Sequence, residues 1–276
     1  MRTSPSSLGS FRESNADVCR LLAYVGSPQP LAPLVFGGDH SLYRQSWQPR
    51  ELLSGSVNAD GYGVVWYSDG RPGRIAEARP IWYDEDLERT LGVIESGCVI
   101  AALRNGTPGI PVDRSGLLPM VHGRWSFVLN GFVPDFRRSH MRALRSDLPD
   151  DLYGALVGSS DSETLFLLAI RRIQEGSSMI AALVDAASRV KARVGSAEAQ
   201  LTMVMTDGDS VAAVRTGTAR LTNSLYVAKH PPLADGGIVL ASEAPETAGV
   251  WAPVDEHTSV EIRADGTVTT ERVFLD

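Results

Sequence analysis

The chain is poor in cysteine: Cys19 and Cys98 are the only two among 276 residues. Two thiols cannot make the disulfide framework that holds small secreted folds together. No run of basic residues occurs and the formal net charge is −7. This speaks against nucleic acid and against anionic membrane surfaces as partners. No stretch approaches the roughly 18 consecutive apolar residues of a membrane span. Residues 1–18, MRTSPSSLGSFRESNADV, lack the apolar segment of a secretory signal. The five histidines and the acidic residues show no metal-ligand spacing, so no metal and no other cofactor is expected. A reduced, cytoplasmic protein is the expectation these absences leave. What is present is 43% apolar content, enough for a sizeable core in a chain of this length.

Residues 1–18 carry no apolar period and read as an extension outside the working domain. From residue 19 the texture changes. CRLLAYVG is a short apolar run closed by glycine, a strand signal. YGVVWYSDG reads as a second strand ending in an Asp-Gly turn, with RIAEARPIW as its hairpin partner. LERTLGVIE has helical spacing, and CVIAALR and RWSFVLNG read as strands. SSDSETLFLLAIRRI opens a helix at a possible capping box, Ser160 with Glu163. MIAALVDAASRVKARV follows as a second amphipathic helix. The strands LTMVMTD, SVAAVRTG, SLYVAKH, GIVLAS and SVEIRADG complete the chain. No repeat or low-complexity linker divides residues 19–276, so one α+β domain is expected, two antiparallel sheets covered by helices. The pattern alone leaves the layer order open.

Five short stretches could carry chemistry, and each has a plain structural reading beside the functional one. Cys19 heads the first strand, and unpaired cysteine is among the most buried residue types. NADGYG at 58–63 permits close backbone approach or is an ordinary turn. ALRNGTPG at 102–109 sets Arg104 at the end of an apolar strand, where it either snorkels outward or grips a carboxylate with its planar fork; Thr107 sits three residues on. LNGF at 129–132 is a hairpin signal, or places the Asn130 amide and the Gly131 N–H at a developing oxyanion. SSDSE at 159–163 is an N-cap, or offers Asp161 to a substrate ammonium.

Taken in order, these pieces resemble the class-II glutamine amidotransferase-like N-terminal-nucleophile hydrolases. Within that group they look most like the amidohydrolases of bacterial ergothioneine biosynthesis, which remove glutamate from γ-glutamyl-hercynylcysteine sulfoxide. CRLLAYVG followed by QSWQPRELLSGSVNADGYGVVWYSDGRP carries most of the likeness. SGCVIAALRNGTPGIPVD, the Asn-Gly of LNGF, the SDSE helix start, NSLYVAKH and VLASEAPE follow in the family order. The resemblance implies a four-layer αββα sandwich with the site between the sheet ends. It implies Cys19 as nucleophile, Asn130 and Gly131 as oxyanion hole, Arg104 with Thr107 nearby as the clamp on the substrate α-carboxylate, and Asp161 as partner of its α-ammonium. The implied partner is a small γ-glutamyl molecule; the oligomeric state is left open.

In such enzymes the base is the nucleophile's own α-amine, whose ordinary pKa near 7.7–8.0 suits proton transfer from a thiol. An amide nitrogen cannot serve, because its lone pair is tied into the peptide bond. Eighteen residues precede Cys19 here. Three explanations stand: translation starting at Val18 with loss of the initiator methionine, removal of 1–18 as a propeptide, or a non-catalytic γ-glutamyl-binding homologue. A glutaminase subunit acting on another γ-glutamyl amide is a further alternative. Two positions depart from the family pattern, Leu129 in place of the usual histidine and RNGT in the arginine segment.

Overall fold

The strand that begins at Cys19 is buried on both faces, which is why its sequence is a continuous apolar run rather than an alternating one. In the computed structural model, which describes residues 19–53, 56–106, 114–234 and 236–275, this strand is β1 (Arg20–Pro30). Cys19, Leu21, Ala23 and Val25 face one core, while Leu22 and Tyr24 face another. The extension 1–18 and Thr107 lie outside the described residues.

β1 is central in a seven-stranded antiparallel sheet. Its companions are β2 (Tyr62–Ser68), β3 (Arg71–Glu77), β4 (Glu95–Leu103), β9 (Tyr226–Lys229), β10 (Gly237–Ala241) and β11 (Ala252–Pro253), in the order β11-β9-β10-β1-β4-β2-β3. The second sheet has six antiparallel strands: β5 (Met120–His122), β6 (Trp125–Phe132), β7 (Gln200–Thr206), β8 (Ser210–Gly217), β12 (Thr258–Arg263) and β13 (Val268–Arg272), ordered β13-β12-β8-β7-β6-β5. The expected β2–β3 hairpin forms, with Tyr67 opposite Pro72.

The helices supply the outer layers. Short α1 (Ala32–Phe36), α2 (Leu42–Gln45) and α3 (Leu87–Gly92) bring Leu34, Val35, Leu42, Leu87 and Leu91 onto the outer face of the first sheet. Between the sheet strands and the long helices come α4 (Met141–Arg145) and α5 (Asp150–Gly154). The long pair, α6 (Asp161–Gln174) and α7 (Met179–Val194), covers the second sheet; Phe166 of α6 stacks on Phe127 of β6 with centroids 5.3 Å apart. The order is therefore helix, sheet, sheet, helix, with one helical layer built from short pieces. No helix among the described residues is long and apolar enough to cross a membrane.

Two local expectations are revised. Ser160 caps α6 by accepting from the Glu163 N–H at 3.2 Å, but the capping box is half made. The Glu163 carboxylate accepts instead from the N–H groups of Val157 and Gly158 and pairs with Arg145, because the buried side chain turns under the preceding loop. Asn130-Gly131 is not a turn. β6 runs straight through it, paired with Thr202 and Leu201 of β7, and the strong local turn preference yields to the sheet ladder.

Candidate active site

Four chain segments end at the same edge of the sandwich: the start of β1, the end of β4, the end of β6 and the first turn of α6. They enclose a small cavity of about 20 Å³ lined by Cys19, Arg104, Leu129, Gly131 and Asp161, among others. That is room for roughly one water. Of the six residues singled out from the sequence, the structure brings Cys19, Arg104, Gly131 and Asp161 to this cavity and sets Asn130 beside it.

Strand alternation explains the Cys19 and Asn130 placements. Cys19 belongs to the β1 set that faces the second sheet. On β6, Ser126 meets the Tyr67 hydroxyl of the first sheet at 2.6 Å, so Ser126, Val128 and Asn130 face the first sheet. Phe127 and Leu129 face α6 instead. The departure at Leu129 thus sits across the strand from Asn130, on the helix side of the cavity. Asn130 is completely buried, and neither its Nδ2 nor its Oδ1 has a hydrogen-bond partner among the described residues. Such an amide is costly unless something else uses it. Gly131 has φ +155°, and a Cβ there would stand 2.0 Å from the Gln200 carbonyl oxygen. No side chain fits, so the backbone can bend toward the cavity only as glycine.

Arg104 directly follows the last residue of β4, Leu103. Its N–H donates to the Gly61 carbonyl at 2.8 Å, and its own carbonyl accepts from the Asp60 N–H at 3.0 Å. The Asp60 carboxylate accepts from the Gly106 N–H at 2.7 Å. The NADGYG loop is therefore a cradle for the arginine strand end. The guanidinium packs against Gly116, where a Cβ would lie 3.1 Å from Nη2. Arg104 is 6% exposed, and its Nη1 has no partner among the described residues.

Asp161 is the first residue of α6. Its Oδ2 accepts from the Val133 N–H at 2.8 Å and its Oδ1 from the Ser162 N–H at 2.8 Å. Burial raises its pKa, against the lowering effect of these bonds. No cationic side chain pairs with it among the described residues. Its carboxylate and the Arg104 guanidinium line one cavity as two charges of opposite sign, each without a counter-ion among the described residues. A ligand carrying both an ammonium and a carboxylate would match them.

Cys98 provides the contrast within the chain. It lies in mid-β4, bonded to the Thr206 hydroxyl at 3.2 Å, and burial pushes its thiol up to about 12. Among the described residues no group of three or more His, Cys, Asp or Glu is placed to hold a metal ion. Sequence reasoning missed several supports. These are Asp60 as the tie for the Arg104 loop, Gly116 as its floor, and the buried Arg20–Glu243 pair behind Cys19, Nε to Oε1 2.7 Å. The signals were present as CR at 19–20 and SE at 242–243, but no local pattern links residues so far apart.

Known proteins resemble the chain over most of its length. The chain is 30% identical over 256 residues to the gamma-glutamyl-hercynylcysteine sulfoxide hydrolase of Mycolicibacterium smegmatis, spanning 92% of this chain and 99% of that protein. It is 28% identical to the protein of the same name from Mycobacterium tuberculosis, over 92% of this chain and 96% of the relative. Among solved structures it resembles a glutamine aminotransferase class-II domain protein of Silicibacter pomeroyi, with TM-score 0.71, 24% identity and coverage of 94% and 100%. It also resembles glutamine phosphoribosylpyrophosphate amidotransferase of B. subtilis, with TM-score 0.62 and 15% identity, over 94% of this chain and 50% of that one. No family model matches.

Proposed function

The chain belongs to the gamma-glutamyl-hercynylcysteine sulfoxide hydrolase family, and on that premise we propose that it hydrolyses the γ-glutamyl amide of γ-glutamyl-hercynylcysteine sulfoxide with Cys19 as nucleophile. The products are glutamate and hercynylcysteine sulfoxide. The enzyme is an amidohydrolase on the class-II glutamine amidotransferase fold. The residue roles are the proposal. The observation that carries it is the set of buried polar groups around one thiol: the Asn130 amide and Arg104 Nη1, without hydrogen-bond partners among the described residues, and the Asp161 carboxylate, which has backbone N–H partners but no cationic one among them.

In the active form Cys19 is the first residue and carries a free α-amine. That amine takes the thiol proton, and the sulfur forms a bond to the γ-carbonyl carbon. The Asn130 amide and the Gly131 N–H stabilise the oxyanion, typically worth about 10²–10³ in rate for one donor. The C–N bond breaks as the leaving amine takes the proton. Water then attacks the glutamyl thioester, the α-amine again accepting a proton, and glutamate leaves as the thiol is restored. Arg104 pairs the α-carboxylate and Asp161 the α-ammonium, holding the γ-carbonyl at the sulfur. A reducing compartment such as the cytoplasm suits this thiol.

Protein beginning at Cys19 should release glutamate from γ-glutamyl-hercynylcysteine sulfoxide faster than from glutamine. The same chain with Met1–Val18 still attached should release none, and Cys19→Ala should release none. Full activity from a chain in which residue 18 remains peptide-bonded to Cys19 would sink the mechanism. A preference for glutamine would move the protein to the glutaminase reading.

A further inference from the structure

Arg20 follows the nucleophile, yet its side chain lies on the other face of the first sheet and is fully buried. It turns back toward Cys19: Nη1 donates to the Cys19 carbonyl at 3.0 Å. Nε stands 2.7 Å from Glu243 Oε1. The Glu243 carboxylate gathers the surrounding loops, bonding His40 Nε2 at 2.7 Å and accepting the N–H groups of Arg50 and Glu51 at 2.8 and 3.0 Å. Both Glu51 carboxylate oxygens accept from the Tyr226 hydroxyl at 3.0 Å. Buried ion pairs are poor sources of stability, since apolar residues of the same volume often do as well. A role beyond stability is therefore needed to explain a guanidinium here.

The backbone supplies one. When Cys19 is the first residue, no preceding peptide holds its nitrogen, and pairing of β1 with β4 begins only at Arg20, opposite Leu103. The Cys19 χ1 angle then sets the α-nitrogen relative to the sulfur, and ψ sets where both stand relative to the strand and the Asn130–Gly131 donors. The carbonyl direction sets ψ, and Arg20 Nη1 holds that carbonyl. We propose that Arg20, held in place by Glu243, is a positioning residue for the Cys19 α-amine, fixing where it stands and favouring its neutral, proton-accepting form. This rests on the reading of Cys19 as an N-terminal nucleophile.

The charged and titratable groups around the start of β1 are Arg20 from β1, His40 and Glu51 from the loops around α2, Glu243 beyond β10, Arg104 just after β4 and Asp161 from α6. Arg20 and Arg104 disfavour an ammonium; Glu243, Glu51 and Asp161 favour it. Removing the Arg20 charge raises the α-ammonium pKa, and removing the Glu243 charge lowers it. A change of one unit charge at this range in a partly buried site corresponds to a shift on the order of one pH unit.

The test is the pH dependence of kcat for protein beginning at Cys19, with γ-glutamyl-hercynylcysteine sulfoxide as substrate. Glu243→Gln should move the acidic limb to lower pH, and Arg20→Met should move it to higher pH, both with reduced kcat and little change in KM. Arg20→Lys, which keeps the charge and loses the fork, should lower kcat and leave the limb in place. Limbs that stay at the wild-type position, or that move together, overturn the inference. Should Arg20→Met not fold, the isosteric Glu243→Gln decides by the presence or absence of its acidward shift. Absence of glutamate release from the unsubstituted Cys19-first protein would overturn the parent reading; release with unmoved limbs overturns this inference alone.

Discussion

The two ends of the inter-sheet space both hold buried polar side chains, and they treat them in opposite ways. At one end Tyr67, Ser126, Cys98 and Thr206 satisfy one another: the Tyr67 hydroxyl meets Ser126 at 2.6 Å and donates to the Arg124 carbonyl at 2.8 Å, while Cys98 meets Thr206 at 3.2 Å. At the other end Asn130, Arg104 and Asp161 keep polar atoms or charge without partners among the described residues. Cys98 and Leu103 are five residues apart on β4, roughly 17 Å at strand spacing. A satisfied buried network rigidifies, whereas an unsatisfied one costs stability and is held ready for a ligand. The two cysteines follow their surroundings: one thiol is sealed in the satisfied end, the other opens on the unsatisfied end.

Substitutions at the two ends should therefore separate cleanly. Asp161→Asn removes the buried carboxylate offered to the substrate ammonium, and kcat/KM should fall on the order of 10²–10³-fold, about 3–4 kcal/mol. Steady-state kinetics with a γ-glutamyl substrate checks this, and a loss under threefold would break the comparison. Asn130→Ala should lower kcat by about 10²–10³-fold with KM nearly unchanged, since its amide acts on the oxyanion. At the sealed end, Tyr67→Phe should leave kcat/KM within twofold and cost about 1–3 kcal/mol in denaturant unfolding, because it strands Ser126 and the Arg124 carbonyl. Cys98→Ala should keep full activity with a stability loss of about 1 kcal/mol; inactivity would show that the wrong sulfur has been chosen.

The smallest effect is one of pH. Burial alone would raise the Glu243 pKa, but the His40 bond and the Arg20 charge outweigh it and hold the group below its ordinary 4.5. A carboxylate with a depressed folded pKa stabilises above its unfolded value and loses that contribution as pH falls through the folded one. Unfolding free energy should thus decline as pH drops below 4.5, and Glu243→Gln should lack that increment. Equal slopes in the two proteins would separate Glu243 from the acid response.

Much of the fold could be read along the chain because its strands and helices are locally consistent. The β2–β3 hairpin, the strand at CVIAALR and the two long helices, the first with its Ser160 cap, all follow from period and end signals. The pieces α1, α2, α4 and α5 are four or five residues long, too short to impose a period. Asn130-Gly131 misled in the other direction, since a turn signal sat within a strand.

By itself the sequence determined the alternation of faces: Cys19 opposite to Arg20, Asn130 opposite to Leu129. It also determined the glycine at 131, where no Cβ fits. The alternation follows from backbone geometry alone, whereas the misfit of a Cβ at 131 comes from the Gln200 carbonyl on the neighbouring strand. The tertiary structure alone decided which buried polar groups would be satisfied. Tyr67 finds Ser126 across 59 residues, and His40 finds Glu243 across 203. The Asn130 amide and Arg104 Nη1 are brought toward Cys19 without such partners among the described residues. Hydrogen-bond satisfaction depends on what the folded chain places within about 3 Å, and no pattern of neighbours along the sequence encodes that distance.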